Sequence, residues 1–323
     1  MSAILAKQRV KEEQEMRTVY CQTLMELAGK NQQVVVLDAD LMSSMGMVPF
    51  GKAYPERTFN VGIQEANMIG VAAGLSATGK IPFAHSFAPF ASRRCFDQIF
   101  LSCGYAKLNV RIIGSDPGVT AAFNGGTHMP LEDLGILRTV PNITLLEPTD
   151  SIMLRDLIKQ TAGLYGVFYI RLLRKSAMKI YEEGSTFEIG KAVEVKDGSD
   201  VTIIATGIMV EEALKAADSL AVEGINARVL NMFTLKPIDK EAIIRAAQET
   251  GAIVTAENHN IINGLGSAVA EVIAENVLVP LERVGVNDLF GEVGPQNYLQ
   301  EKFGLTAANI VDKVKKAVAR KVI

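Results

Sequence analysis

The sequence predicts an α/β protein made of two doubly wound domains. Three observations carry this. Short apolar runs alternate with segments whose apolar residues recur at helical spacing, from residue 15 to residue 172. The composition then turns polar around 176–200 (Tyr181-Glu182-Glu183-Gly184-Ser185, Val195-Lys196-Asp197-Gly198-Ser199-Asp200), and the alternation starts again. A chain of 323 residues is long enough for about two domains. Strands that alternate with helices argue for mainly parallel sheets. The boundary is placed near residue 185, giving domains 1–185 and 186–323.

In chain order, Met16, Val19, Tyr20, Thr23, Leu24, Leu27 and Ala28 lie at helical spacing and Gly29 closes them, so 15–30 reads as a helix. Gln33–Leu37 is a buried strand ending at Asp38-Ala39-Asp40. Phe59–Val61 is a short strand, 65–78 a helix, Ile81–His85 a strand and 91–104 a helix. Asn109–Gly114 is a strand opening into a glycine-rich loop, 115–128. Ile143–Leu146, Ser151–Gln160 and Val167–Leu172 read as strand, helix, strand. In the second domain the strands are Val201–Ala205, Ala227–Asn231 and Gly251–Ala256; the helices are Met209–Glu223, Lys240–Glu249, Gly266–Glu275 and Ala307–Val318. Four or five strands are expected there.

Composition excludes several classes. A net charge of −3 lacks the basic footprint of a nucleic-acid partner. No uncharged apolar stretch reaches the roughly 20 residues of a membrane helix. Cys21, Cys95 and Cys103 form no CxxC and no disulfide framework, which points to a reducing, cytoplasmic setting. His85, His128 and His259 share no ligand spacing, so no protein-made metal site is expected. There is no GxGxxG after the first strand and no GxxxxGK[ST], so neither standard phosphate-cradling loop is present.

Candidate chemistry gathers in loops after first-domain strands, where open α/β sheets bind ligands. Glu65 follows Val61, Gly62 and Ile63 and precedes an apolar run, and no Lys or Arg lies between Arg57 and Lys80 to pair with it. Desolvation disfavours the charged form of such an acid and suits it to sharing a proton. From this stretch alone, a solvent-facing acid at a helix start is the commoner reading. Phe87 and Phe90, three apart, can stack on a flat ring or sit in the core. The loop 114–128 carries Ser115, Asp116, Thr120, Asn124 and His128 between glycines, a composition suited to lining a substrate site. Arg171 ends the apolar strand Phe168-Tyr169-Ile170 and requires an anion, either a ligand phosphate or a protein carboxylate.

The ordered set of motifs resembles the C-terminal half of transketolase in its split, two-polypeptide form. The resemblance spans essentially the whole chain, from Glu15-Met16-Arg17 and Leu37-Asp38-Ala39-Asp40-Leu41 through Asn60–Met68, Ser86–Ala91 and Asn124–His128. It continues in Leu146–Asp150, Tyr169-Ile170-Arg171, Ile204–Gly207, Asn231-Met232 and Glu257–Gly266. It implies a pyrimidine-binding thiamine diphosphate domain followed by a smaller transketolase C-terminal domain. It also implies a partner, the N-terminal subunit, that holds the diphosphate and Mg²⁺, in a heterotetramer containing a second copy of this chain. Glu65 matches the catalytic glutamate that hydrogen-bonds the aminopyrimidine N1′, which reverses the weighting above. Phe87 and Phe90 match the aromatic wall against that ring, and Asp40 an acid close to the cofactor. Arg17, Ser44 and Arg171 match the positions that hold the sugar phosphate, although Arg17 read alone is a solvated helix charge. His128 matches a catalytic, substrate-binding histidine, and His259 one with a structural or interfacial role.

Two departures bear on the substrate. Ser115 stands where the family loop has a His that helps bind phosphate, and Asn124 stands at the second of its acids, which reads a hydroxyl. The expected activity is two-carbon ketol transfer from a ketose phosphate, or from a modified ketose such as a branched or sulfonated sugar, to an aldose phosphate. Ordinary pentose phosphate chemistry stays open. A β subunit of a 2-oxo acid dehydrogenase is a competing reading, disfavoured by Arg17, Ser44 and Arg171. A non-catalytic regulatory subunit is another, disfavoured by Glu65, Phe87, Phe90 and His128. The small residues of Ile69–Gly74 suggest a helix packed on another subunit.

Overall fold

A computed structural model describes residues 2–321, so the domain limits at 1 and 323 lie outside the described residues. Twelve strands form two sheets. In the first domain they are β1 (Val34–Asp38), β2 (Thr58–Asn60), β3 (Ile81–Phe87), β4 (Val110–Ser115), β5 (Thr144–Leu146) and β6 (Val167–Leu172). Then come β7 (Val193–Lys196), β8 (Val201–Ala205), β9 (Ala227–Asn231), β10 (Thr234–Lys236), β11 (Ile253–Asn260) and β12 (Leu281–Val286). The first sheet has the order β10-β5-β6-β4-β3-β1-β2, and the second β12-β11-β8-β9-β7. Pairing is parallel except at β10 and β7, which run antiparallel to β5 and β9. Strands β1, β4, β6 and β8 are buried at every residue, which is why they read as mainly apolar runs, with Arg111 and Arg171 the buried cations among them.

The helices pack where their apolar faces require. Met16–Lys30 buries Met16, Val19, Tyr20 and Leu24. Ala307–Ala319 buries Ile310, Val314 and Ala317, a stripe at spacings of four and three. Asp150, Asp239 and Thr306 cap the helices Ser151–Gly163, Lys240–Thr250 and Ala307–Ala319 by accepting from the third residue on. Among the described residues no helix is long and apolar enough to cross a membrane.

Three of the departures from the sequence reading bear on the site and on the junction between the domains. The helix expected over 91–104 is a 3-10 turn (Arg93–Cys95), a short α turn (Phe96–Gln98) and a π turn (Ile99–Tyr105). Ser92 Oγ donates to the Ala88 carbonyl and Cys95 Sγ to that of Phe90, so side chains compete with the helical ladder. The short edge strand β10 pairs with the first domain's sheet, with Thr234 opposite Leu146. The linker around 178–186 is covered by the chain's start, through bridges from Ser2, Leu5 and Lys11 to Thr186, Tyr181 and Met178.

The second domain grips the first at the end of β11. The Asn258 side chain accepts from the Val119 amide at 2.9 Å and donates to the Pro117 carbonyl at 2.8 Å. The Asn260 amide donates to the Leu131 carbonyl. Gly118 has φ +51°, and a Cβ there would lie 2.1 Å from Asn258 Oδ1, so only glycine fits. Both ends of the loop 117–131 are thereby fixed from across the domain junction. His259 belongs to the same junction: its Nε2 accepts from the Gly135 amide.

Burial, with the Arg171 charge next, pushes His259 down to about 4, while burial pushes Glu257 up to about 7. The two act with opposite sign. Below pH ~6.5 the unfolded chain protonates His259 and the folded chain does not, so its contribution is lost as pH falls toward 4; the contribution of protonated Glu257 is lost as pH rises from ~4.5 through 7. His259→Gln removes the first arm. Relative to the parent, the variant should gain stability as pH falls from 6.5 to 4.5, by up to about 1.4 kcal/mol per unit, in urea unfolding series.

Candidate active site

Glu65 opens the helix Glu65–Ala77 directly after β2 and is 2% exposed. Its Oε1 accepts from Ser86 Oγ on β3 at 3.4 Å, and its Oε2 accepts from an Arg94 amino group at 2.8 Å. The expectation of an acid without a cation is therefore corrected. Its neighbours in sequence supply none, but the broken helix after β3 bends Arg94 back across 29 residues to reach it. Nothing in the local pattern around Glu65 signals that contact.

Phe87, Phe90 and His128 form an aromatic cluster over the same corner. Phe87 and Phe90 have centroids 6.3 Å apart, and the His128 ring lies 5.5 Å from Phe87 and 5.1 Å from Phe90, all edge to face. Burial, and then the Arg94 charge, lower the His128 pKa from its ordinary value, favouring a neutral imidazole that both donates and accepts. Its Nδ1 lies 2.9 Å from Thr127 Oγ1. The loop tip that delivers His128 rests on the second domain, where a Cβ on Gly126 would lie 2.3 Å from the Gly291 carbonyl oxygen.

A second cluster also touches Phe87. An Arg17 amino group donates to the Ser44 carbonyl at 2.8 Å, and Arg174 reaches the same oxygen at 3.4 Å. Arg174 Nε pairs with the buried Asp116, and its guanidinium lies 4.8 Å from the Phe87 centroid. Burial raises the Asp116 pKa and Arg174 opposes the rise. Asp40, exposed and at φ +64°, is tied to Asn60 beside this region: its amide donates to Asn60 Oδ1, which also accepts from the Gly62 amide. Ser115 is buried, with its Oγ unpartnered. Asn124 is exposed on the loop and, among the described residues, no hydrogen bond ties it to the other candidates.

Arg171 is not among these groups. Its guanidinium donates from Nε to Asp133 at 2.9 Å and from a terminal nitrogen to Glu147 at 2.9 Å, and it is fully buried. Of the two anions the sequence left open, the protein carboxylate is the one it meets. The expected sugar-phosphate role is corrected on that ground: every nitrogen points at protein, with the Asn258 and Pro130 carbonyls completing the set. Arg174, three residues on, lies beyond the end of β6, where α/β sheets present ligand groups. In Arg171-Leu172-Leu173-Arg174 that position past the strand end is the signal that separates the two arginines.

Between the Phe90 face and the Glu65 carboxylate lies a flat slot, filled by the Arg94 guanidinium, whose shape suits the face and the N1′ edge of an aminopyrimidine ring. Arg94's flat guanidinium, 3.9 Å above the Phe90 centroid and bonded to Glu65, gives the measure of that slot. Fold and slot together suit the pyrimidine-binding half of a thiamine diphosphate enzyme. The transketolase pyrimidine-binding domain matches residues 12–179, and the transketolase C-terminal domain matches residues 190–310. The chain belongs to the transketolase family. It is 55% identical to the 6-deoxy-6-sulfo-D-fructose transketolase subunit SqwH of Clostridium sp. (strain MSTE9), over 96% of both chains. It is 46% identical to a putative transketolase C-terminal section of Methanocaldococcus jannaschii, over 93% of this chain and 95% of that one. Among solved structures, a split gene transketolase crystallised as an inactive β4 tetramer is 47% identical and superposes with a TM-score of 0.88, over 95% of this chain and 99% of that one.

Replacing Arg171 by Ala should strand two buried carboxylates, and a cost of about 3–5 kcal/mol is expected in urea unfolding. An unchanged midpoint would return Arg171 to the list of ligand groups.

Proposed function

We propose that this chain is the short subunit of a transketolase that moves a two-carbon ketol unit from a ketose with an anionic far end to an aldose phosphate. The observation that carries the reading is the buried Glu65 carboxylate ending a slot walled by Phe90, with Phe87 and His128 beside it. Thiamine diphosphate, which the family uses, supplies a carbon nucleophile and electron sink for cleaving the ketose. In this chain Glu65 holds a proton at the ring's N1′ edge, Phe87 and Phe90 hold the ring's face, and Asp40 lies near it. Neutral His128 exchanges hydrogen bonds with donor hydroxyls. Arg17 and Arg174, converging on the Ser44 carbonyl, hold the anionic end. Ser115 and Asn124 stand in this reading as the groups that alter donor recognition.

A partner N-terminal subunit holds the diphosphate and Mg²⁺ in a heterotetramer. Support comes from the helix Glu65–Ala77: Gly70 and Gly74 are exposed, a Cβ at either would meet nothing within 4 Å, and Ile63 beside the helix is 68% exposed. That face is open to another chain. A cytoplasmic setting belongs to the same reading, supported by three free, buried cysteines.

With the co-expressed partner, Glu65→Ala should lower kcat by at least about 100-fold, with the melting temperature retained. Wild-type turnover by that variant would overturn the reading. Across a panel of ketose donors, 6-deoxy-6-sulfofructose should be turned over fastest; xylulose 5-phosphate as the best donor would end the modified-substrate part. Arg174→Ala should raise the donor KM by roughly 10-fold or more, the worth of a charge-assisted hydrogen bond, with a smaller change in kcat.

A further inference from the structure

Arg94 and an aminopyrimidine ask for the same place. The guanidinium is flat, carries its N–H groups on its edge and presents a face for stacking. In this structure its edge meets Glu65 Oε2 at 2.8 Å and its face covers Phe90 with 3.9 Å from Cζ to the centroid. A pyrimidine ring held by Glu65 and Phe90 makes the same two contacts, so ring and guanidinium exclude each other.

The neighbouring groups single out Arg94 for this part. Arg93 turns the other way, to Glu132. Arg94 is 45% exposed, so it can swing into solvent without unpacking the core, whereas Glu65 is 2% exposed and fixed at a helix start. The groups facing the Glu65 carboxylate are Ser86, Arg94 and the buried Cys95 thiol, whose pKa burial and then Glu65 push up. Arg94 is the one cation in direct contact with it among the described residues.

We propose that Arg94 is a built-in stand-in for the cofactor's pyrimidine ring, a positioning residue that fills the ring's seat, keeps Glu65 paired and must be expelled for the ring to enter. The proposal rests on the reading of Glu65 and Phe90 given above. Two consequences follow. The apparent affinity for the cofactor is reduced by the fraction of molecules whose seat is free. Exchange of a cation for a neutral ring also leaves Glu65 without its counter-charge, so cofactor uptake draws in a proton that is shared with the ring.

Both are measured by calorimetric titration of thiamine diphosphate, with Mg²⁺ present, into the two-chain enzyme in buffers of different ionisation heat. Arg94→Ala should bind about 3- to 10-fold tighter, the scale of a half-exposed ion pair stacked on an aromatic ring, and should take up less of a proton. Arg94→Lys, which keeps the charge but not the plane, should fall between, and melting temperatures of both variants report that the fold is kept. Equal or weaker binding by Arg94→Ala overturns the proposal. Glu65→Gln separates the two levels. If it changes affinity and proton uptake while Arg94→Ala changes neither, only the stand-in fails. If neither substitution has an effect, the reading of the slot fails with it.

Discussion

The guanidinium of Arg171 has no water to turn to. It rises from β6 in the first domain's sheet and meets Asp133 on one side, Glu147 on another and the Asn258 carbonyl of the second domain. A charge so placed tolerates no loose geometry, because every unmet donor carries a desolvation cost. Tyr169 donates to the same Asp133, and Gly114 has no side chain because the Tyr169 hydroxyl would lie 2.2 Å from its Cβ. The C-terminal end of β4, the helical turn at 133–137 and the end of β11 are thereby locked to one another. The loop that carries His128 springs from this assembly, so the position of that side chain depends on the ion cluster.

Phe87 touches two sets of groups of different character. One set is Phe90, His128 and the slot ending on Glu65; the other is Arg174, Asp116 and, through the Ser44 carbonyl, Arg17. The first set suits a neutral aromatic ring. The second is cationic, with Asp116 as an internal counterweight.

Much of this could be seen in the sequence. Buried parallel strands announce themselves as apolar runs, and the helices that cover them as periodic stripes, so the first domain's six strands and the order of elements were legible. Glu65, Phe87, Phe90 and His128 stand out in the sequence because they lie at or just beyond strand ends, and the structure gathers Phe87, Phe90 and His128 into one aromatic cluster. The failures have a common cause. Arg94 reaches Glu65, and Arg171 reaches Asp133, across long separations in sequence, and periodicity says nothing about such partners. Arg171 and Arg174 differ only in which side of a strand's end they occupy, a register that burial decides. β7, β10 and β12 are edge strands whose mixed polarity resembles loop.

The strand β10 is coded within the second domain yet hydrogen-bonds β5 of the first. The division into two units is therefore one of sequence and not of construction. A first domain cut away near residue 185 would leave the backbone of Thr144–Leu146 bare along one side, a ready template for pairing with stray chains. Recombination that exchanges one half of this polypeptide for that of a distant relative must supply a matching strand to seal the seam. The two halves are thus expected to travel through evolution as a single inherited piece, even where the partner polypeptide has been separated from them.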